Sequence, residues 1–312
     1  MNKTTLTALR RGLPLLCCFL LASCFLLPGA AAADSVKYLT RRAYAALENR
    51  DYETAARFFT EAAEAGDASA QYNLGIMYNN GEGVEKDAVK AAEWLARAAD
   101  QDLAAAQSAL GYAYFCGIGV ERSAEKGLAY STAAAEQGDN RAMYNLGEVY
   151  RLGEIVDKDP AKAFAWYKAS ADTGWDEAQY TLGCLYEDGD GTEQNQVLAV
   201  AYYASAAQQG HTGAQIRLGN MYSEGRGVVQ NHAKALQYYR LAAEQGESAA
   251  LFNLGIAYEF GEGVEKDDLA AASYYWKAYK AGDADGMRYY VDLKRNGRLP
   301  EDFDPLSYVP AE

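Results

Sequence analysis

Four places in the chain carry residue types at spacings that chemistry uses. Ser123-Ala124-Glu125-Lys126 matches the S-x-x-K pattern, in which a lysine one helical turn on activates a serine nucleophile, as in penicillin-recognising enzymes. Asp188-Gly189-Asp190-Gly191 sets two carboxylates in a glycine turn, as a calcium loop does. His211 and His232 are the only histidines, and Cys116 and Cys184 are the cysteines outside an apolar N-terminal run. The loops GEGVEKD at 81–87 and 261–267 are glycine-rich, as phosphate cradles are.

Each of these lacks its companions. The S-D-N and K-T-G motifs that accompany S-x-x-K are absent. The twelfth position counted from Asp188 is Ala199, where a calcium loop needs a bidentate glutamate. No H-E-x-x-H, Walker loop or paired C-x-x-C occurs, and the carboxylates of GEGVEKD would repel a phosphate. The chain is therefore expected to be non-enzymatic, with no catalytic residue, no cofactor, no metal and no small-molecule substrate.

The elements that would position these residues follow one period. Leu-Gly recurs at 74–75, 110–111, 146–147, 182–183, 218–219 and 254–255, each step 36 residues without insertion. A tyrosine stands three residues beyond each glycine, from Tyr78 to Tyr258, and a further glycine three beyond that, from Gly81 to Gly261. Self-similarity at such a period marks a solenoid. Ala70, Leu74, Met77 and Tyr78 share one helical face, and the alanine recurs at 106, 142, 178, 214 and 250. The glycine of the Leu-Gly pair is expected to permit a close backbone crossing.

Gly81 and its equivalents are expected to end the first helix in a left-handed cap. The second helix should start at Asp87, Ser123, Asp159, Asn195, Asn231 and Asp267, all preferred N-cap types. In that frame Ser123 is a cap rather than a nucleophile, and Lys126 recurs as Lys90, Lys162 and Lys234. The second helix carries an aromatic stripe at Trp94, Tyr130, Trp166, Tyr202, Tyr238 and Tyr274, assigned to the core. The fold class is all-α, a right-handed α-solenoid of stacked helical hairpins.

The motif A-x-x-x-L-G-x-x-Y-x-x-G-x-G-V resembles the Sel-1-like repeat family, a branch of the tetratricopeptide superfamily. The resemblance covers six units over 67–282; Gly153-Glu154-Ile155 lacks the second loop glycine, and Gly189-Asp190-Gly191-Thr192 lacks the valine. Residues 34–66 are read as a plain tetratricopeptide-like hairpin, 283–297 as a capping helix and 298–312 as an extended tail. Cysteine-rich relatives carry regular cysteine pairs within units; Cys116 and Cys184, two units apart, are expected to be isolated thiols.

Residues that vary between units separate surface from scaffold. The positions concerned are Asn73/Ile76, Ala109/Tyr112, Asn145/Glu148, Thr181/Cys184, Arg217/Asn220 and Asn253/Ile256. They form one helical stripe opposite the constant one. The resemblance implies that first helices line the concave face, which makes Asn73, Ile76, Tyr112, Asn145, Glu148, Thr181, Arg217, Asn220, Asn253 and Ile256 the candidate partner-binding residues. Asn73, Asn145 and Asn253 would hold a bound backbone through their amides, as resembling repeats do.

The formal net charge is −14, which disfavours nucleic acid and anionic lipid. Lys3, Arg10 and Arg11, the apolar run Leu13–Leu27 and Ala31-Ala32-Ala33 have the layout of a signal peptide over 1–33, with Asp34 the new terminus. The alternative is lipobox cleavage before Cys24, which would tether the chain to a membrane. The expectation is an exported interaction scaffold of a bacterial envelope, in the periplasm, that binds a protein or peptide on its concave face. Alternatives are an outer-membrane lipoprotein, a secreted or surface host-interaction factor, or a cell-wall-related or penicillin-binding enzyme.

Overall fold

The computed structural model describes residues 28–308. The leader reading falls almost wholly outside them, although the first helix already begins at Pro28. Among the described residues there are fifteen helices and no strand. The first hairpin is α1 (Pro28–Glu48) and α2 (Tyr52–Glu64). Six hairpins in register follow: α3 (Ala68–Asn80) and α4 (Ala88–Ala99), α5 (Ala104–Cys116) and α6 (Ala124–Glu136), α7 (Asn140–Leu152) and α8 (Pro160–Asp172). The next are α9 (Asp176–Asp188) and α10 (Gln196–Gln208), α11 (Thr212–Glu224) and α12 (His232–Glu244), then α13 (Ser248–Phe260) and α14 (Asp268–Lys280). The final helix is α15 (Ala284–Arg295). Each helix packs on its neighbours in sequence, and α5 also meets α7 directly. None is long and apolar enough to cross a membrane.

Local chemistry sets these boundaries. Every second helix starts where a short polar side chain replaces a missing backbone acceptor. Asp87 accepts from the Lys90 N–H at 3.0 Å, and Asn195 accepts from the Leu198 N–H at the same distance. Every first helix of the six units ends at a glycine with φ between 70 and 78°. The second loop glycine has a different reason: a Cβ on Gly119 would lie 1.9 Å from the Ala88 carbonyl oxygen of the preceding unit. The loop thus docks on the start of the previous second helix, and Ile155, lacking that glycine, has no positive φ.

The constant residues form the core. Alanines 70, 106, 142, 178, 214 and 250 are fully buried, and the six leucines of the Leu-Gly pairs are at most 1% exposed. The aromatic stripe needs correction. Tyr130, Tyr202, Tyr238 and Tyr274 are only half-buried, and stack on Tyr114, Tyr186, Tyr222 and Tyr258 with centroids 5.5–5.8 Å apart. Rings one residue further on, Tyr167, Tyr203, Tyr239 and Tyr275, are the buried ones. Trp94 and Trp166 are likewise half-buried.

Those buried rings explain the glycine of the Leu-Gly pair. A Cβ on Gly147, Gly183, Gly219 or Gly255 would lie 2.4–2.8 Å from the tyrosine ring of its own second helix. The expected close backbone approach holds at Gly111, whose Cβ would meet the Ser131 nitrogen at 3.0 Å and the Gly127 oxygen at 3.1 Å. Gly255→Ala gains about 1 kcal/mol of helix propensity but overpacks Tyr275, at about 1–3 kcal/mol. The expected result is a lower urea midpoint, the opposite sign to the same change on an uncrowded helix.

Glutamine pairs join successive units. Gln101 donates to Gln71 at 2.8 Å, and the pairs 137–107, 209–179 and 245–215 repeat the bond at 2.8, 2.9 and 3.1 Å. Where the first glutamine is replaced by Met143 or Leu251, the second has become Thr173 or Ala281. Both members change together, which leaves no lone buried amide.

The tail also differs from expectation. Residues 298–308 are not extended but turn at 301–302 and 305–307 and fold back on α14. Ser273 Oγ donates to the Pro305 carbonyl at 2.7 Å, and Tyr308 donates to Asp267 at 2.6 Å. Leu299 is buried.

Candidate functional site

The residues with chemistry-like spacing are absorbed by the scaffold. Ser123 Oγ accepts from the Lys126 N–H at 3.3 Å and caps α6, while Lys126 Nζ lies 5.2 Å from the centre of the Tyr114 ring. His211 caps α11 through Nδ1, which accepts from the Ala214 N–H at 3.1 Å, and its ring stacks on Tyr180 at 4.5 Å. His232 Nδ1 is 3.4 Å from Ser223 Oγ and 3.8 Å from Glu262, so serine and carboxylate approach the same nitrogen. A serine-activating histidine needs them on opposite nitrogens. Cys116 and Cys184 are free thiols.

Three cavities border the variable stripe of the first helices. A cavity of about 500 Å³ opens between α3, α4, α5 and α7, with Ile76, Tyr112 and Asn145 among its lining. A second, about 510 Å³, is lined by Tyr112, Asn145 and Glu148, so the two are contiguous through shared residues. A third, about 280 Å³, takes Asn220, Asn253 and Ile256. Seven of the ten candidates therefore line these cavities. Asn73, Thr181 and Arg217 line none of the three. A larger hollow of about 910 Å³ lies elsewhere, between α12 and the loop before α14, away from the stripe.

The groove floor carries a polar ladder that sequence reasoning missed. The phenols of the buried tyrosines reach from the second helices to polar side chains of the first helices. Tyr167 donates to Glu148, which Arg151 also holds at 2.6 Å. Tyr203 donates to Glu187 at 2.6 Å and Tyr275 to Glu259 at 2.7 Å. Tyr239 donates to Asn220 at 2.8 Å. Glu187 and Glu259 each take an arginine from 39 residues on, Arg226 and Arg298, both at 2.6 Å. Arg298 also binds Asp268, so the C-terminal segment supplies the contact that a further unit's loop would make.

Electrostatics follow from this geometry. Burial opposes ionisation of Glu187, but hydrogen bonds from Tyr203 and Arg226 and the nearby Arg217 more than offset it, and its pKa falls below the ordinary value. Burial, with Cys184 and Glu187 as neighbours, pushes the Tyr203 phenol upward. At this rung an ionised Glu187 thus accepts from a neutral Tyr203 phenol. The equal 39-residue offset of both Glu–Arg pairs was available in the sequence, but nothing there says that those positions meet.

Several candidates are engaged by neighbours rather than by solvent. Asn73 Nδ2 donates to the Tyr44 hydroxyl at 2.9 Å and to the Ser69 carbonyl at 2.7 Å. Thr181 meets the Tyr144 hydroxyl at 3.2 Å, and Asn253 donates to Asn220 at 3.2 Å. Arg217, nearly half exposed, stands 3.9 Å from Glu187. Of the three asparagines assigned to a ligand backbone, Asn73 and Asn253 are thus already used within the groove.

The repeat geometry has a counterpart among known proteins. The Sel1 repeat model matches seven segments, 47–67, 68–103, 104–139, 140–174, 176–211, 212–247 and 248–283. The chain belongs to the Sel1 repeat family. Six Sel1 repeats coincide with the hairpins from α3–α4 to α13–α14. A seventh, shorter match falls on α2, in the hairpin expected to be a plain tetratricopeptide unit. A protective antigen of uropathogenic Escherichia coli strains with an SLR fold is 33% identical at a TM-score of 0.77, over 86% of this chain and 58% of that one. The chain therefore matches little more than half of that protein's length. A Sel1 repeat protein from Oxalobacter formigenes is also 33% identical, with a TM-score of 0.69, over 78% of this chain and 99% of that one. No curated protein matches the chain. Sel1 repeats are in general protein-interaction scaffolds and typically non-catalytic.

Proposed function

We propose that this Sel1 repeat chain is an exported scaffold that holds an extended segment of a protein partner in the groove of its first helices, within the bacterial envelope. The observation that carries the binding site is the pair of contiguous cavities joined through Tyr112 and Asn145. A groove that only faced solvent would have no reason to keep Tyr112 half exposed beside Ile76 and Ile118. Export rests on the basic, apolar and small-residue order of residues 1–33.

The test is photo-crosslinking in cells from positions 112, 148 and 220, with position 93 on the outer face of α4 as control. One dominant protein joined to all three sites and absent from the control is the expected result. Equal labelling from position 93 would sink the groove reading, and labelled chain confined to the cytoplasm with residues 1–33 intact would sink export. A second reading, a secreted or surface factor, draws on the E. coli protective antigen. It requires the chain in culture medium or on intact cells.

A further inference from the structure

We infer that the cavity between α3, α5 and α7 is an anchor pocket for one aromatic side chain of a partner segment that carries carboxylates beside it. This rests on the groove reading above and names what the groove selects.

The repeats themselves show what belongs there. In units three, four and six a ring on the first helix meets a ring on the second: Tyr144 with Tyr167 at 5.2 Å, Tyr180 with Tyr203 at 5.8 Å, Phe252 with Tyr275 at 5.4 Å. At the same two places unit one has Tyr72 and Leu95, and unit two has Ser108 and Ser131. Unit two has therefore lost both rings. The hollow of about 500 Å³ opens beside Ser108, with Ala91, Leu95, Ala105 and Ala109 in its lining, while Ser131 is fully buried and outside that lining. Ser108 is 3% exposed, and its hydroxyl has no hydrogen-bond partner. Tyr72 and Tyr112 wall the hollow, and neither is in a stacked or edge-on ring pair of the kind seen in units three, four and six. Elsewhere the molecule closes this kind of space with a ring, whose flat faces pair at these distances.

The rim sets the charge of the occupant. Arg141 borders this hollow and Arg122 the adjoining one; both are exposed, and neither makes an ion pair among the described residues. Of the carboxylates lining the two hollows, Asp139 accepts from the Ala142 N–H at 2.7 Å and Glu148 is held by Arg151 and Tyr167, which leaves Glu154 as the one exposed carboxylate against the two arginines. In a chain of net charge −14, two exposed arginines, one on each of the adjoining hollows, complement acidic residues beside a buried ring.

The test uses three synthetic peptides, acetyl-Gly-Asp-Phe-Asp-Gly-amide, its Leu-for-Phe form and its Lys-for-Asp form, titrated into the full chain with methyl NMR detection. The aromatic acidic peptide is expected to shift the methyls of Ala91, Ala105 and Ala109, and each control peptide to bind at least threefold more weakly. Ser108→Tyr, which restores the ring found in units one, three and four, should abolish those shifts. Arg141→Gln, on an exposed residue, should erase the preference over the Lys form while leaving the melting temperature unchanged.

Equal binding of all three peptides, or shifts outside the hollow, would overturn the inference. So would methyl shifts that grow with protein concentration alone, since a second copy would then be the occupant. Crosslinks from positions 112, 148 and 220 without any peptide preference would remove the aromatic anchor and leave the groove reading standing. Peptide binding without crosslinks would remove the groove reading instead.

Discussion

Leu146→Ala is expected to lower the unfolding free energy by about 2–5 kcal/mol, the largest effect of any single truncation considered. Leu146 is 1% exposed and belongs to a cluster with Phe115, Ala134, Ala142 and Val149, drawn from two successive units. Its removal leaves a hole on both sides of a unit boundary. Units of a solenoid are held mainly by their neighbours, so the loss in the third of six units should also split the transition. Urea unfolding followed by circular dichroism should give a lower midpoint and a shallower slope, or two steps. The exposed Glu154→Ala should change stability by less than about 0.5 kcal/mol. Equal midpoints for the two variants would contradict the packing described above.

Glu187→Gln is expected to cost about 1.5–3 kcal/mol at neutral pH, the range of a hydrogen bond to a charged group. Glu187 is 8% exposed and Tyr203 is fully buried, so the phenol cannot turn to water when its ionised acceptor is weakened. Arg226 is one-third exposed and recovers part of its hydration, which keeps the figure below that of a fully buried ion pair. The pH dependence has a fixed sign. The folded pKa of Glu187 lies below its ordinary value of 4.5, so its contribution is complete above that value and fades as pH falls through the folded one. The difference between wild type and Glu187→Gln should therefore be constant near pH 7 and shrink under acid. A difference that grows with acidification would contradict the ladder.

The two variants probe different parts of the sequence code. Leu146 could be marked as core from the sequence because it recurs every 36 residues beside an equally regular alanine and glycine. The caps at Asp87, Ser123, Asp159, Asn195, Asn231 and Asp267 were legible for the same reason, since a cap depends on residues within one turn. Glu187 was not. It recurs only as Glu259, two units on, and is not adjacent to its partners: Tyr203 and Arg226 reach it from 16 and 39 residues away. The buried tyrosine stripe was misassigned by one position for a related reason. Two adjacent aromatic residues both satisfy a helical period, and only the tilt of one helix on the other decides which ring turns inward.

The groove illustrates the same division. Variation at Asn73, Ile76, Tyr112, Asn145, Glu148, Thr181, Arg217, Asn220, Asn253 and Ile256 marked one stripe, yet that stripe proved chemically uneven. Asn73, Thr181 and Asn253 bond to neighbouring units, while Tyr112 and Asn145 border open space. Ser108, unremarkable in sequence, lines the hollow at a place where units one, three, four and six carry a ring.

By itself the sequence determined the period, the hairpin unit, the helix ends and the constant core, because each depends on residues close along the chain or repeated at one interval. Tertiary structure alone decided which tyrosines are buried, which carboxylates are paired, where the tail docks and where the stack leaves a cavity. These depend on side chains that reach across unit boundaries, and the distances they span are set by the angle and closeness at which helices pack.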